Sequence, residues 1–499
     1  MLTRRPPPAL AAAALAFLAG SAAALYYSHL GLALSHYDAR AHLVVSRRIF
    51  DSIVPGWQQI GAVWLPLPHL LDMLPVQLDI FYRTGAFAIA ISVASMSVAA
   101  WAVARLVLRT TGSAAGGLTA AALFVANPNL LYLQSTPMTE PLLFATTMVA
   151  VMSVAEWVDG DAPRWPHAAG LALTAASMTR YEAWPVSVAI IALAGIVMLR
   201  RGQRLSAAVA GCGRLALYPG IAVVLFVLNS RWTTGHWFVT SGFFVAENEA
   251  KGQLVLAWEQ VKIGTYRLSG PGLIWPAYVS AALVLAAFVR SKSTAGLVLV
   301  LALAASTALP WYAYFNGHPL RVRYSMPLVF ASCTLCGVGV GLLPRRIRAA
   351  VAVALVAAIL YNDSPIDARA PMVLEAQRDN VNRAGRMVVT AYLVQHYDWS
   401  GNSVVMASMG SLAHYIQDLS AYGFHIRNFL HEGNGDLWVF AVEQGPRGFA
   451  DWILVEEKAE GGDEIFHRAR ELPQFYRGFE RVAEGGGVAL YRATPERNR

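Results

Sequence analysis

Apolar runs of about 20 residues recur along most of the chain, and they constrain its fold more than any other feature. A helix needs roughly 20 mostly apolar residues to cross the hydrocarbon core of a bilayer. Runs of this kind predict about eleven transmembrane helices, near 9–34, 81–106, 114–133, 141–158, 167–179, 184–199, 207–229, 272–289, 294–313, 324–343 and 347–362. Only 14% of the 499 residues are charged, against roughly 25% in a soluble domain. The sequence therefore predicts an all-α polytopic membrane domain over residues 1–362.

The basic residues of the loops predict how these helices are oriented. Lys and Arg are enriched in cytoplasmic loops, and with a cytoplasmic N-terminus every inside turn is basic. Arg4 and Arg5 before an alanine-rich core could also mark a signal peptide, but the apolar run continues to about Leu34, which favours an uncleaved helix. The segments left outside are 35–80, 127–140, 180–183, 230–271, 314–323 and everything after 362.

Residues 363–499 differ in composition from the rest and predict a small extracytoplasmic α/β domain. Asn362-Asp363-Ser364-Pro365 ends the last apolar run, and 372–398 has the pattern of a polar helix. Strand-like and helix-like stretches then alternate, with strands expected at 403–407, 425–430, 452–456 and 488–492 and helices at 411–420 and 463–470. The glycines 485–487 precede a strand, so they predict a turn and not a phosphate-binding loop.

Charge and cysteine content exclude two other classes of function. The net charge is +8, but the positive residues lie in short loops between apolar runs, which is a topology signal and not a nucleic-acid-binding face. Cys333 and Cys336 form a Cys-x-x-Cys inside an apolar run. A metal or redox site needs a polar, accessible setting, so we expect both to pack inside a helix.

The first outer segment, 35–80, contains the most informative polar residues. Asp38 follows the first apolar run and is a candidate N-cap for a helix over about 39–51. At 100° per residue Asp38 and His42 share one face, and the basic residues share the other, so the pattern predicts an amphipathic helix along the membrane surface. Asp38 is therefore either a cap or a site residue, and His69, further along, is either a site residue or an interfacial one.

Three further outer turns place ionisable groups beside apolar runs. These groups are Glu140, the pair Arg180 and Glu182, and the pair Arg321 and Arg323, which precede Tyr324. Charges near a bilayer are costly, about 2.5–3.5 kcal/mol at its centre on insertion scales, so several on one side suggest a polar cavity there. Arginine offers paired donors to phosphoryl oxygens, which makes the arginines candidate ligands of a lipid phosphate; the alternative is interfacial snorkelling.

Over residues 1–345 or so the chain resembles the GT-C class of integral-membrane glycosyltransferases. It is most similar to bacterial relatives of the protein O-mannosyltransferases and of the transferase that puts aminoarabinose on lipid A. The resemblance rests on residues 37–43, 63–69, 179–182 and 321–327, and on their order and predicted side of the membrane.

The resemblance implies a reaction and a set of site residues. Members of the class take sugars from polyprenyl phosphates, usually invert the anomeric carbon, and place an acid of the first outer loop at the reaction centre, which maps onto Asp38. Many have two neighbouring acids there, whereas Asp38 is followed by Ala39, so a second acid would come from Glu140 or Glu182. This departure leaves a requirement for a divalent metal open, and no metal ligand is assigned.

The roles expected from the chemistry follow from these residues. Asp38 would act as general base on an acceptor hydroxyl, with His42 one turn along as a candidate partner. Arg321, Arg323, Arg180 and Tyr324 would bind and stabilise the departing lipid phosphate. Undecaprenyl phosphate in a bacterial inner membrane is the expected carrier, and the acceptor could be a lipid, a glycan or a protein. The alternative function is a transporter or flippase of lipid-linked sugars, which would need polar groups deep in the spans and an inverted repeat.

Overall fold

The computed structural model describes residues 7–160, 165–238, 248–380, 382–399, 405–406, 412–458 and 461–494. In the first half of the chain its α-helices are α1 (Pro8–His29), α2 (Tyr37–Arg48), α3 (Leu67–Asp72), α4 (Asp79–Thr84), α5 (Ala86–Thr111), α6 (Ala114–Ala126), α7 (Pro128–Leu133), α8 (Glu140–Val158), α9 (His167–Ser177), α10 (Ala183–Arg200) and α11 (Leu205–Thr234). Short 3-10 helices cover Trp57–Ile60 and Pro75–Gln77.

The second half of the chain contains further helices and all the described strands. The helices are α12 (Leu254–Ser269), α13 (Pro271–Arg290), α14 (Ala308–Phe315), α15 (Met326–Leu342), α16 (Arg348–Asn362), α17 (Pro371–Asp379), α18 (Arg383–His396), α19 (Ala413–Leu419), α20 (Asp436–Gln444) and α21 (Glu464–Glu471). The strands are β1 (Val405–Met406), β2 (Phe429–Leu430), β3 (Trp452–Glu456), β4 (Phe479–Gly485) and β5 (Val488–Ala493). The 3-10 helices Ala295–Thr307 and Val322–Ser325 run into α14 and α15.

Eight stretches of helix within the described residues are long and apolar enough to cross a membrane. They are Pro8–His29, Ala86–Thr111, Glu140–Val158, Ala183–Arg200, Leu205–Thr234, Pro271–Arg290, Ala295–Phe315 and Val322–Leu342. The predicted all-α polytopic class is confirmed, whereas the predicted count of about eleven is not. The runs near 114–133, 167–179 and 347–362 form shorter helices of 13, 11 and 15 residues. The first of these is interrupted because the Asn127 side chain caps a new helix that begins at Pro128.

The chain divides into two compact units, which are described separately. Unit 1 comprises Met1–Gly31, Ile89–Val227 and Asn248–Glu375, and unit 2 comprises Leu32–Ala88, Leu228–Glu247 and Ala376–Arg499. Unit 2 thus contains the whole of the predicted first outer segment, 35–80, together with residues 376–499. The predicted domain division at residues 362 and 363 stays a prediction.

Unit 1 is a helical bundle in which α15 is the most buried of the eight candidate spans. Small residues let α15 approach α6 closely: a Cβ atom added to Gly337 would lie 2.6 Å from the Ala120 Cβ atom and 2.8 Å from the Gly116 carbonyl oxygen. Close approach through small residues is the usual way in which helices pack inside a membrane. Cys333 and Cys336 lie buried in α15 as free thiols, in agreement with the predicted packing role.

Unit 2 contains a five-stranded sheet with the order β2-β1-β3-β5-β4. Strand β1 runs parallel to β2 and β3, and β5 pairs antiparallel with β3 and β4. The predicted small α/β domain is confirmed, although β4 was not predicted. Gly486 and Gly487 form the β4–β5 turn with φ values of 62° and 91°, which glycine adopts at no steric cost, so the predicted turn is confirmed.

Helix α2 belongs to the hydrophobic core of unit 2, and this corrects the predicted surface helix. Leu43 and Val44 pack in the same buried cluster as residues of α18, α19, β3 and β5. Arg47 and Arg48 are only 4% and 7% exposed, and the helix ends at Arg48 instead of residue 51. Both faces of α2 are therefore covered by protein, and on the basic face Arg47 donates to Asp51 and Arg48 donates to the Gln59 carbonyl oxygen.

Candidate active site

The sequence-predicted site residues are divided between the two units. Asp38, His42 and His69 belong to unit 2, whereas Glu140, Arg180, Glu182, Arg321, Arg323 and Tyr324 belong to unit 1. Each group is considered by itself.

Asp38 lies in the first turn of α2 and is not the N-cap that the sequence suggested. The cap is His36, whose Nδ1 atom accepts the backbone N–H of Asp38 at 3.1 Å. The helix begins at Tyr37 because this imidazole satisfies one of the N–H groups that a helix start leaves without an intrahelical partner. Asp38 is buried, with 6% of its surface exposed.

His42 and His69, both predicted as site residues, form a buried pair in unit 2. The His42 Nδ1 atom lies 3.0 Å from the His69 Nε2 atom, and the His69 Nδ1 atom lies 3.2 Å from the Leu65 carbonyl oxygen. A carbonyl only accepts, so His69 donates from Nδ1 and accepts from His42 at Nε2. The Trp64 ring packs against His42, with 4.2 Å between ring centroids. Burial lowers the pKa of His69 to about 4, so this imidazole is neutral at pH 7.

Asp72, at the end of α3, is a buried acid that sequence reasoning missed. It is 4% exposed, and its Oδ1 atom has no hydrogen-bond partner among the residues that the structure describes. Burial raises its pKa to about 7, because removal from water disfavours the charged carboxylate. The signal that could have identified it is an aspartate inside the apolar stretch 70–74.

In unit 1, Arg180 joins the two candidate second acids. Its Nη2 atom lies 2.8 Å from Glu182 Oε1 and its Nη1 atom lies 3.2 Å from Glu140 Oε1. Nη1 also donates to the Thr139 hydroxyl at 2.9 Å. Burial alone would lower the pKa of Arg180, but the two carboxylates outweigh it and raise the pKa. The arrangement is a buried charge cluster in which the single positive charge of Arg180 partly neutralises two carboxylates.

The second arginine turn of unit 1 begins the last of the eight candidate spans. Arg323 is 5% exposed, and its guanidinium carbon lies 5.2 Å from the centroid of the Tyr324 ring. The backbone N–H of Val322 donates to Glu375 Oε2 at 2.8 Å, and the carbonyl of Arg321 accepts from the Tyr314 hydroxyl at 2.8 Å. The turn is therefore fixed through its backbone.

The C-terminal part of unit 2 contains two buried histidines and a glutamate beside Arg48. His414 and His431 are buried, and burial lowers the pKa of each well below the ordinary value. The His431 imidazole accepts the Gly433 N–H at 3.1 Å, and Glu432 lies 3.6 Å from Arg48. Within the described ranges, no group of three or more His, Cys, Asp and Glu side chains is arranged to hold a metal ion.

Comparison with solved structures identifies the fold. No protein-family model and no curated protein sequence matches the chain. The crystal structure of ArnT from Cupriavidus metallidurans bound to undecaprenyl phosphate is similar, with a TM-score of 0.58 at 12% identity. The match covers 96% of this chain and 98% of that one. The apo structure of the same protein gives a TM-score of 0.57 at 11% identity over the same shares. The chain thus shares the fold of this ArnT over nearly its whole length, in agreement with the fold that the sequence resemblance implied.

Proposed function

We propose that this chain is a glycosyltransferase that moves a sugar from a polyprenyl-phosphate carrier to an acceptor hydroxyl. The observation that carries the proposal is the shared fold with a structure that binds undecaprenyl phosphate, over 96% of the chain. Undecaprenyl phosphate is the proposed carrier, in a bacterial inner membrane. The basic inside turns support a cytoplasmic N-terminus and an extracytoplasmic C-terminal region.

Asp38 is the proposed general base. A carboxylate within about 3 Å of an attacking hydroxyl can take up its proton as the new glycosidic bond forms, which typically contributes 10²–10⁴-fold. Burial in the first turn of α2 holds this carboxylate in a defined position. The attack displaces the lipid phosphate in one step, so the anomeric carbon inverts.

The arginines of unit 1 are the proposed ligands of the lipid phosphate. A phosphate monoester is a good leaving group that needs positive charge more than protonation as it departs. Arg321 and Arg323 can supply that charge through paired N–H donors, with Tyr324 alongside. Arg180 already pairs with Glu140 and Glu182 and donates to Thr139. Its contribution to phosphate binding therefore depends on how far these partners already neutralise the charge of its guanidinium.

Sugar transfer by the purified chain in lipid nanodiscs tests the proposal. The donors are a panel of synthetic polyprenyl-phosphate sugars, the acceptors are extracted envelope lipids and glycans, and release of free carrier is measured with and without a chelator. Wild type is compared with Asp38→Asn and with the matched control Asp436→Asn, an exposed aspartate at the start of α20.

We expect Asp38→Asn to lose 10²–10⁴-fold in turnover while donor binding persists, and the control to retain wild-type turnover. Equal turnover in both variants would remove Asp38 from the mechanism. If the chain instead moves carrier-linked sugar across the bilayer of sealed vesicles without any transfer in the nanodisc assay, it is a flippase. Loss of turnover in the presence of the chelator would show that a divalent metal takes part, and unchanged turnover would show that none is needed.

A further inference from the structure

Helix α2 is connected to the C-terminal part of unit 2 by buried charged contacts at its first turn. The Arg40 guanidinium forms an ion pair with Asp418 of α19, and its Nε atom donates to the Leu34 carbonyl at 3.0 Å. The same Asp418 accepts from Arg386 Nε of α18 at 2.6 Å. One carboxylate from α19 therefore joins the helix that carries Asp38 to a second helix of the C-terminal region.

A second set of contacts holds the other end of α2. Asp51, just beyond the helix, accepts from Arg47 Nε at 3.1 Å and from Arg427 Nε at 2.8 Å. It also accepts the backbone N–H of Ile426 at 3.2 Å. Opposite ends of α2 are thus attached to parts of the chain that follow it by more than 370 positions.

The contact at the first turn is the one that bears on Asp38. Arg40 stands two positions after Asp38, and its side chain is 14% exposed. Burial lowers the pKa of Arg40, and Asp418 is the largest influence that opposes this. Without the Asp418 carboxylate, two largely buried guanidinium groups would lose a shared counter-charge, and Arg40 would have to move toward water or another partner. The first turn of α2 would move with it.

We infer that Asp418 is a positioning residue for the transfer reaction, which acts through Arg40 to fix the first turn of α2 and with it the carboxylate of Asp38. The C-terminal region then contributes to the rate of transfer itself, and not only to recognition of an acceptor. The inference rests on the proposed function for its kinetic consequence, because a misplacement of about 1 Å at a reacting group can cost about 10²-fold in rate.

The test compares Asp418→Asn, Asp418→Glu and the control Asp436→Asn in the full-length protein. Transfer kinetics give kcat and the KM for donor and for acceptor separately, and hydrogen exchange reports on the backbone amides of residues 37–43. For Asp418→Asn we expect kcat to fall about 10- to 100-fold, both KM values to stay within about threefold, and the amides of 37–43 to exchange faster. Asp418→Glu restores part of kcat because it keeps the charge, and the control matches wild type.

A double-mutant cycle identifies the route of the effect. Arg40→Gln and Asp418→Asn remove two ends of the same contact, so the double variant should be no more than about threefold slower than the slower single variant. Multiplicative losses would show that Asp418 does not act through Arg40. If Asp418→Asn does not accumulate as folded protein, Asp418→Glu and Arg40→Lys still test the inference, because both keep the charges and alter only the geometry.

Other outcomes overturn the inference in distinguishable ways. A raised acceptor KM with unchanged kcat would make Asp418 part of an acceptor site. Unchanged exchange at residues 37–43 in Asp418→Asn would show that the ion pair does not hold the first turn. If wild type transfers no sugar from any donor, the proposed function fails, while the exchange measurement still decides whether Asp418 fixes α2.

Discussion

The Nδ1 atom of His42 lies 3.0 Å from the Nε2 atom of His69 in the interior of unit 2. Burial lowers the pKa of His69 to about 4, whereas an unfolded histidine titrates near 6.5. Between these values the unfolded chain binds a proton that the folded chain does not, so stability falls as the pH is lowered from about 6.5 toward 4. His69→Gln should therefore reduce the pH dependence of unfolding in this window by up to ~1.4 kcal/mol per pH unit.

Unfolding in mixed micelles at pH 7.5 and pH 5 measures this difference. The control is His396→Gln, since His396 is exposed at the end of α18 and its replacement should leave the pH dependence as in wild type. A pH dependence that is equally steep in His69→Gln and wild type would mean that His69 is not the group that titrates.

Glu182→Gln should destabilise the protein substantially. The substitution removes one of the two acids that neutralise the buried Arg180, and breaking a buried ion pair typically costs 3–5 kcal/mol. The matched control is Glu471→Gln, which removes the surface partner of Arg468 and should cost at most about 1 kcal/mol. Denaturant unfolding of both variants measures the difference. Wild-type stability with abolished sugar transfer would instead assign Glu182 to the reaction, as the second acid that the resemblance leaves unplaced.

At least one of the variants Arg321→Gln and Arg323→Gln should bind the polyprenyl-phosphate donor more weakly. Hydrogen bonds to charged groups contribute about 1.5–3 kcal/mol, so the Kd should rise about 10- to 100-fold for whichever arginine contacts the phosphate. Titration with the free carrier phosphate measures this without turnover. Arg345→Gln, on an exposed arginine of the short loop between α15 and α16, is the control. Unchanged affinity in both variants would assign these arginines to interfacial anchoring.

Gly385→Ala should disturb the packing of α18 against the β4–β5 hairpin. A Cβ atom at residue 385 would overlap the Gly486 nitrogen and the Gly485 carbonyl carbon. Both are backbone atoms, so the helix or the turn must shift, at a cost of about 1–3 kcal/mol. Gly213→Ala in α11 is the control because nothing lies within 4 Å of the added atom. In thermal unfolding, Gly385→Ala should therefore be less stable than Gly213→Ala. Equal stability of the two variants would mean that α18 does not pack against the β4–β5 turn.

Local pattern predicted the apolar helices and most strands, but not the partners of α2. The eight candidate spans follow from the length of their apolar runs alone. Strand β3 was predicted at its observed limits because four consecutive apolar residues, 452–455, are followed by the acidic Glu456. Strand β4 was missed because Phe479–Gly485 alternates weakly and carries three charged residues. The burial of Arg48 could not be predicted, since its acidic neighbour Glu432 follows it by more than 370 positions.

For the candidate site, the sequence could name residues but not their contacts. Position relative to the apolar runs and the family resemblance drew attention to Asp38, His42, His69 and the Arg180 turn, and their roles stay predictions. The sequence could not show that His36 caps α2, because an imidazole is a less usual cap than an aspartate. Asp72 was overlooked because neither a motif nor a neighbouring basic residue draws attention to it.

The ion pairs of α2 also determine when this helix can reach its final state during synthesis. Residues 37–48 leave the ribosome more than 300 residues before Asp418 and Arg427 exist, so the charges of Arg40 and Asp51 have no C-terminal partners while most of the membrane helices are being inserted. A chain that stops before residue 418 would keep these groups hydrated and its α2 undocked, because leaving buried charges uncompensated is strongly unfavourable. Docking of α2 would thus have to wait until residues 418 and 427 have been made, and chains cut or terminated before them would lack the contacts that hold the helix of Asp38.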